Sequence, residues 1–160
     1  MKVIKDGQIC QSPWQRSDAV SDLGHLLLSL ETFKEHREQL LTRREPVGVW
    51  LDSHEEVEEL ADDLPFLALI ALNFPSFTDG RAYSTAVMLR RHYDYQGDIR
   101  AMGDVRKDQL EQMTRCGFSS FELAEGQPME AALAALRIFS YSYQATSLQS
   151  TPLPRLSQVS

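Results

Sequence analysis

Residues 47–74 read VGVWLDSHEEVEELADDLPFLALIALNF. The alternation of apolar runs and a helical pattern in this stretch recurs along most of the chain. A short apolar run, Val47–Leu51, leads into His54–Leu64, where apolar residues recur at the i, i+3, i+4, i+7 spacing of an amphipathic helix. A second apolar run, Phe66–Phe74, follows directly and is typical of a strand that is covered on both faces. This order predicts two parallel strands joined by a right-handed helical crossover.

The same alternation continues on both sides of this stretch. Upstream, the apolar run Leu26–Leu30 precedes a helical pattern over Glu31–Arg43. Downstream, the sequence predicts a helix that begins at Asp79 or Gly80, followed by a strand at Asp98–Met102. A helix from Val105 to Cys116, capped by Asp104, comes next. The last predicted elements are a strand at Phe118–Leu123 and a helix from Pro128 to about Gln144. We therefore expect an α/β fold with a mainly parallel sheet of about five strands and covering helices, either as an open sheet or as a partial (β/α) barrel.

The two ends of the chain differ from this pattern. At the N-terminus, residues 2–10 read KVIKDGQIC and predict a small β-hairpin, because Asp-Gly favours the positive φ angles of a type I′ turn. Residues 15–24 are polar and weakly patterned, which favours a connector. From Thr146 onward Ser, Thr, Pro and Gln dominate. We expect one α/β domain over residues 1–145 and a flexible C-terminal tail over residues 146–160.

Composition excludes several classes of protein. The chain has 160 residues, of which 42% are hydrophobic and 24% charged, and a net charge of −7, so neither a disordered chain nor a generic nucleic-acid binder is expected. The longest apolar run, Phe66–Leu72, is shorter than the roughly 20 residues that cross a bilayer. Met1–Cys10 has no apolar stretch of the signal-peptide type. Cys10 and Cys116 lie in no metal or redox spacing, which suits a reducing cytoplasm, so we expect a cytoplasmic protein without a membrane partner.

Two loops carry polar residues at the places where parallel α/β folds bind ligands, beyond the carboxyl ends of strands. Residues 73–81 read NFPSFTDGR and residues 100–109 read RAMGDVRKDQ. Each loop places a glycine close to a helix start, where backbone N–H groups are accessible to an anion, and Arg81 adds a planar fork of donors. The candidate ligand-binding residues are Asp79, Gly80, Arg81, Ser84, Arg100, Gly103, Asp104, Asp108 and Gln109. The alternative is structural, with the aspartates as caps and Arg81 paired with a neighbouring acid.

Other candidate chemistry is weaker. Strand alternation places Arg100 and Glu122 on one sheet face, either as a buried pair or with Arg100 free to bind substrate. Cys116 lies late in its predicted helix, which favours an inert thiol over a nucleophile. His54 and Glu58 share a helix face without a third ligand, so no metal site is predicted. No G-x-G-x-x-G, Walker A, C-x-x-C or H-E-x-x-H motif occurs, and we expect no cofactor.

Charge is concentrated in one segment. Residues 52–63 contain seven acids and no Lys or Arg. This segment is either a solvated helix face or a docking surface for a partner.

A set of unusual strings occurs in a fixed order along the chain: FP-x-F-x-DGR-x-YS over 74–84, LR at 89–90, G-x-IRA-x-GDV over 97–105, DQ at 108–109 and RCGF over 115–118. Together they resemble an uncharacterised bacterial domain-of-unknown-function family that is encoded beside the assimilatory sulfite reductase haemoprotein and often labelled as oxidoreductases. The resemblance runs from Asp6-Gly7 to Tyr143-Gln144. It implies a setting in sulfur assimilation and supplies no catalytic residues.

Two functional hypotheses follow from this resemblance and from the residues. The first is an accessory protein of assimilatory sulfite reduction that docks to sulfite reductase or its electron donor, or assists electron delivery. The second is a small oxidoreductase-like enzyme or sensor that binds a sulfur oxyanion at the rim formed by the two loops. A third reading is a structural α/β module whose polar motifs only cap and pair. A homodimer that extends the sheet would be compatible with each of them.

Overall fold

The computed structural model describes residues 1–76 and 78–138. Its strands are β1 (Lys2–Lys5), β2 (Gln8–Gln11), β3 (Trp14–Ser17), β4 (His25–Ser29), β5 (Val47–Leu51), β6 (Leu69–Phe74), β7 (Asp98–Gly103) and β8 (Ser120–Phe121). Its α-helices are α1 (Leu30–Glu35), α2 (Arg37–Leu41), α3 (Arg81–Arg91), α4 (Leu110–Cys116) and α5, helical over 129–138, and two 3₁₀ helices are η1 (Val57–Phe66) and η2 (Lys107–Gln109). The predicted C-terminal tail over 146–160 and the predicted helix end near Gln144 lie outside the described residues.

All eight strands form one mixed sheet in the order β2-β1-β8-β7-β6-β5-β4-β3. Strands β3 to β8 are parallel neighbours, whereas β1 pairs antiparallel with β8 and with β2. The α/β class is confirmed, but the expectation of about five parallel strands is wrong. The sequence WQRS of β3 is polar because this strand lies at the sheet edge, so it has no apolar pattern by which to recognise it. The predicted hairpin, moreover, joins the main sheet.

The parallel strands follow one another in chain order, so each crossover steps in the same direction and the helices cover the same face. The main core lies between this face of the sheet and the helices that cover it. The described residues of a second, smaller cluster all come from strands, and this cluster lies on the opposite face. On that opposite face Arg16 of β3 meets Glu122, just beyond β8, at 2.7 Å although the two strands are not neighbours. The sheet is therefore open but curled, with a convex face under the helices and a concave face towards this ion pair.

Alternate residues of strand β6 point to the two opposite faces of the sheet. Ile70 and Leu72 face the main core, and Leu69 and Ala71 face the smaller cluster on the concave side. All four residues are almost completely buried, which confirms the prediction of a strand covered on both faces.

The turn predictions at two ends of elements are confirmed. Asp6 and Gly7 both have positive φ angles, 55° and 73°, as a type I′ hairpin turn requires. Gly117, with a φ of 116°, ends α4 in the left-handed conformation. These two residues connect β1 to β2, and Lys5 lies opposite Gln8, as a two-residue hairpin turn requires.

The predicted helix boundaries are less accurate. Residues 57–66 form a 3₁₀ helix rather than the predicted α-helix, and Pro65, which has no N–H to donate, disfavours an α-helical last turn. The predicted helix over Glu31–Arg43 is divided into α1 and α2. The predicted cap at Asp104 is wrong: η2 intervenes and α4 begins only at Leu110, while Asp104 pairs with Arg106.

Candidate functional site

The loops after β6 and β7 meet at the carboxyl edge of the sheet, as the sequence predicts. Phe74 lies opposite Gly103 in the register, and the Asp104 N–H donates to the Phe74 carbonyl at 2.8 Å. A Cβ on Gly103 would lie 2.4 Å from Asn73 Oδ1, and the φ of Gly103 is +89°. Only glycine fits this position, because both the space and the backbone conformation exclude a side chain. We call residues 73–76, 78–81 and 103–109, with the adjoining Asp52 and Ser53, the rim.

Arg81 is held within its own loop. Its Nη2 lies 2.8 Å and its Nε 3.2 Å from the two carboxylate oxygens of Asp79, and its backbone N–H donates to the same carboxylate at 3.0 Å. These hydrogen bonds from Arg81 lower the pKa of Asp79 to about 2. Gly80 precedes α3 as its N-cap residue, in an ordinary right-handed conformation. The guanidinium is largely solvent-exposed but already paired with an anion from its own chain.

The second loop repeats this arrangement. Arg106 Nε lies 3.1 Å and Nη2 3.3 Å from the carboxylate of Asp104. The Gln109 side chain accepts a hydrogen bond from the Arg106 N–H at 3.2 Å, and Asp108 is exposed on η2. Each rim arginine therefore pairs with the aspartate two residues before it, which is the alternative that the sequence left open.

The sequence reasoning missed Asp52, which follows β5 and joins the rim. Asn73 Nδ2 donates to Asp52 Oδ1 at 3.1 Å, and the Ser53 N–H donates to the same oxygen at 2.9 Å. The hydrogen bond from Asn73 is the main cause of a lowered pKa of Asp52. Asp52 therefore adds a further carboxylate to the rim, beside those of the two Asp–Arg pairs. Anion binding at the rim stays a prediction, and it would have to compete with carboxylates already in place.

Two predicted ligand residues are not among the residues that form the rim. Ser84 lies on the outer side of α3, where it lines a groove of about 630 Å³ with Met88 and Cys116 among others. Arg100 lies in the middle of β7 on the concave face, three residues before Gly103, which is about 10 Å along a strand. Ser84 follows Arg81 by one turn of α3 and therefore stays close to it, whereas the structure does not bring Arg100 together with Arg81.

Arg100 is buried inside the curl of the sheet, with its side chain only 4% exposed. Its Nε donates to Ser120 Oγ at 3.0 Å and its Nη1 donates to Ser12 Oγ at 2.9 Å. The nearest carboxylate is that of Asp98, 3.7 Å from Nη2. Burial lowers the pKa of Arg100, and Asp98 opposes this effect. Arg100 is thus a buried cation on a face without helices.

The predicted pair between Arg100 and Glu122 does not form. Glu122 is close enough for its negative charge to act to raise the pKa of Arg100, but its ion pair is with Arg16, at 2.7 Å. The sequence could not show this, because Arg16 lies on a strand that was predicted to be a connector.

An acidic groove lies between α1 and η1, with a volume of about 450 Å³. We define it by its lining residues, which are Leu30, Glu31, Lys34, Glu35, His54, Glu55, Glu56 and Glu59. Lys34 pairs with Glu59 at 2.5 Å, and Glu55 is oriented by the Asp52 N–H at 2.8 Å. Carboxylates therefore dominate this groove, and part of the acidic segment predicted from the sequence faces it.

The loops that meet at Gly103 contain part of the strings on which the sequence resemblance rests, among them DGR at 79–81 and GDV at 103–105. The family model for DUF934, described as a bacterial protein of unknown function, matches residues 48–154, which is more than half of the chain. The chain belongs to this family. A search of the curated proteins found no match.

The DUF934 match begins within β5, so it contains both rim loops, Arg100 and the 3₁₀ segment of the acidic groove. Residues 1–47, which contain strands β1 to β4, precede the match, although they supply Ser12 and Arg16 to the concave face. The family description confirms a bacterial family and leaves the link to sulfite reductase as an expectation from the resemblance.

Neither a metal cluster nor a membrane span is found in the described part of the chain. No group of three His, Cys, Asp or Glu residues within residues 1–76 and 78–138 could hold a metal ion. The helices in those same residues are all too short or too polar to cross a membrane. Burial raises the pKa of the Cys116 thiol, which agrees with the interpretation of this cysteine as unreactive.

Proposed function

We propose that the protein is an accessory protein of assimilatory sulfite reduction, which docks through its acidic groove to a basic surface of sulfite reductase or of its electron donor. The supporting observation is the groove itself: five glutamates and a single lysine line one concavity between α1 and η1. The choice of partner rests on the resemblance described from the sequence, and the choice of surface rests on the charge of this groove.

The charge of the groove suits a transient complex. The carboxylates of Glu31, Glu35 and Glu56 are exposed, so a partner's Lys and Arg residues reach them without a prior rearrangement. Opposite charges across an interface mainly accelerate association and orient the partners, and their effect falls as salt screens them. Such an interface permits repeated binding and release of a partner, which suits a protein that assists electron delivery.

The experiment measures binding of the purified protein to sulfite reductase and, separately, to its electron donor, at low and at physiological salt. The triple variant Glu31→Gln, Glu35→Gln, Glu56→Gln removes three groove charges without touching Glu55 or Glu59, which have structural partners. We expect binding to one of the two proteins, weakened about tenfold or more in this variant and by added salt.

A matched control removes the same number of charges elsewhere. Asp18, Glu125 and Glu130 are exposed and lie outside the groove, so the variant Asp18→Asn, Glu125→Gln, Glu130→Gln should bind within about twofold of the wild type. Absence of binding to both proteins at about 100 μM, or equal weakening by the two triple variants, would contradict the proposal.

A further inference from the structure

A pocket of about 260 Å³ opens on the concave side at the amino ends of the parallel strands, on the opposite edge from the rim. Its position follows from its lining: His25 and Asp98 are the first residues of β4 and β7, and Pro46 and Ala68 directly precede β5 and β6. The remaining lining residues are Val3, Lys5, Cys10, Gln11, Ser12, Pro13, Trp14 and Arg100. We call it the Arg100 pocket.

Arg100 lines this pocket, and some of its guanidinium N–H groups have no hydrogen-bond acceptor among the described residues. A guanidinium has five N–H donors. Within the described residues, Arg100 uses two of them, towards Ser120 and Ser12. Both N–H groups of Nη2 and one of Nη1 are without a hydrogen-bond acceptor there, and Asp98 is 3.7 Å from Nη2. Buried donors are normally satisfied, so a buried cation with three donors open towards a pocket indicates an additional acceptor.

Asp98 is already shared among other donors and does not supply that acceptor. Its carboxylate accepts hydrogen bonds from Ser119 Oγ at 2.5 Å and from Ser120 Oγ at 3.0 and 3.1 Å. It also forms an ion pair with Lys5 at 3.4 Å. Lys5 and Arg100 therefore carry two positive charges against the one negative charge of Asp98, and the three residues together have an excess positive charge at the pocket wall.

We infer that the Arg100 pocket binds a small oxyanion, which accepts hydrogen bonds from the open guanidinium donors and is balanced by the excess charge of Lys5 and Arg100. Ser12 Oγ accepts from Arg100 and keeps its own hydroxyl proton to donate to the same anion. A volume of about 260 Å³ admits an ion such as sulfite, sulfate, phosphate or acetate with accompanying water, and is smaller than the usual pocket for a drug-sized ligand. This site is separate from the acidic groove and does not depend on the docking proposal.

The test is isothermal titration of the full chain, without any partner protein, with sodium sulfite, sulfate, phosphate and acetate against a chloride background. We expect at least one of the four to bind in the millimolar range or tighter. Lys5→Gln should weaken that binding about fivefold or more, because Lys5 is 41% exposed and its loss removes charge without opening the core. Lys2→Gln on the same strand, whose side chain does not line the pocket, is the matched control and should bind like the wild type.

Two further variants keep the inference falsifiable. Arg100→Lys retains the charge but loses the planar fork, so a folded Arg100→Lys protein should lose most of the affinity. Arg81→Gln tests the rim in the same assay. The inference is overturned if none of the four anions binds, if Lys5→Gln binds like Lys2→Gln, or if Arg81→Gln alone abolishes binding, which would place the anion at the rim.

Discussion

Arg90 connects two separate chain segments from within the core, and its removal is the perturbation whose effect can be worked out most fully. The residue is only 7% exposed. Its Nε donates to the Gly117 carbonyl at 3.0 Å, and its Nη1 donates to the carbonyls of Tyr95 and Gly97, each at 2.8 Å. Nη2 contacts Ser119 Oγ at 3.5 Å. This one side chain thus joins the end of α4 to the loop that leads into β7.

The substitution Arg90→Met keeps an unbranched side chain and removes the donors. It would leave the carbonyls of Gly117 and Tyr95 buried without the charged donor that they now have. Each buried polar group without a partner costs about 1–3 kcal/mol. The bonds share one guanidinium and one of the carbonyls is partly exposed, so we expect a total loss of about 4 kcal/mol, which is less than the sum of independent bonds. Most domains have roughly 5–15 kcal/mol of stability, so the variant should still fold.

The assay is urea unfolding followed by far-UV circular dichroism. With a urea slope of about 2 kcal/mol/M, a loss of about 4 kcal/mol lowers the midpoint by about 2 M. Arg91→Met is the matched control, because Arg91 is the exposed neighbour on α3 and should change stability by less than about 0.5 kcal/mol. A loss below about 1 kcal/mol for Arg90→Met, or one equal to that of Arg91→Met, would refute the reasoning.

Three other expectations follow from single contacts. Gly103→Ala forces a Cβ to within 2.4 Å of a side-chain oxygen at a φ of +89°, so it should destabilise the fold by about 3 kcal/mol in thermal unfolding, and a neutral result would contradict the close packing of the two loops. Asp79 has its pKa lowered to about 2 from an ordinary 3.8, so its pair with Arg81 contributes stability above pH 3.8 that is lost as the pH falls towards 2; an NMR titration should find this low pKa and find it moved back towards 3.8 in Arg81→Gln. Cys10 is exposed whereas burial raises the pKa of Cys116, so at pH 8 a thiol reagent should react faster with a Cys116→Ser protein than with a Cys10→Ser protein, and the reverse order would show that Cys116 is activated.

The candidate site was predicted in part, and the pattern of success has a physical cause. The carboxyl ends of neighbouring parallel strands lie at one edge, so the meeting of the loops at Asp79 and Gly103 could be predicted without coordinates. Asp52 was missed because the segment after β5, DSHEE over 52–56, has neither the glycine nor the arginine by which the other two loops were selected. Arg100 was placed with the rim because its string continues into that loop, whereas strand alternation directs it to the concave face.

What the sequence determined by itself is local. Alternating apolar and helical segments specify the α/β class, Asp6-Gly7 specifies the hairpin turn, and Gly117 specifies the end of α4, because each depends on neighbours within a few residues. The unbroken apolar run of β6 likewise predicts that both faces of this strand are buried.

The strand order and its consequences were decided only by the tertiary structure. The polar strand β3 pairs because the edge of β4 offers hydrogen-bonding groups, and β8, which the sequence predicts as a strand, has an antiparallel neighbour in β1 that no local pattern indicates. The curl of the sheet then brings Arg16 to Glu122 and Ser12 to Arg100 across 106 and 88 residues of chain. No local pattern encodes such contacts, because they depend on how all the strands twist and stack together rather than on the preferences of any one segment.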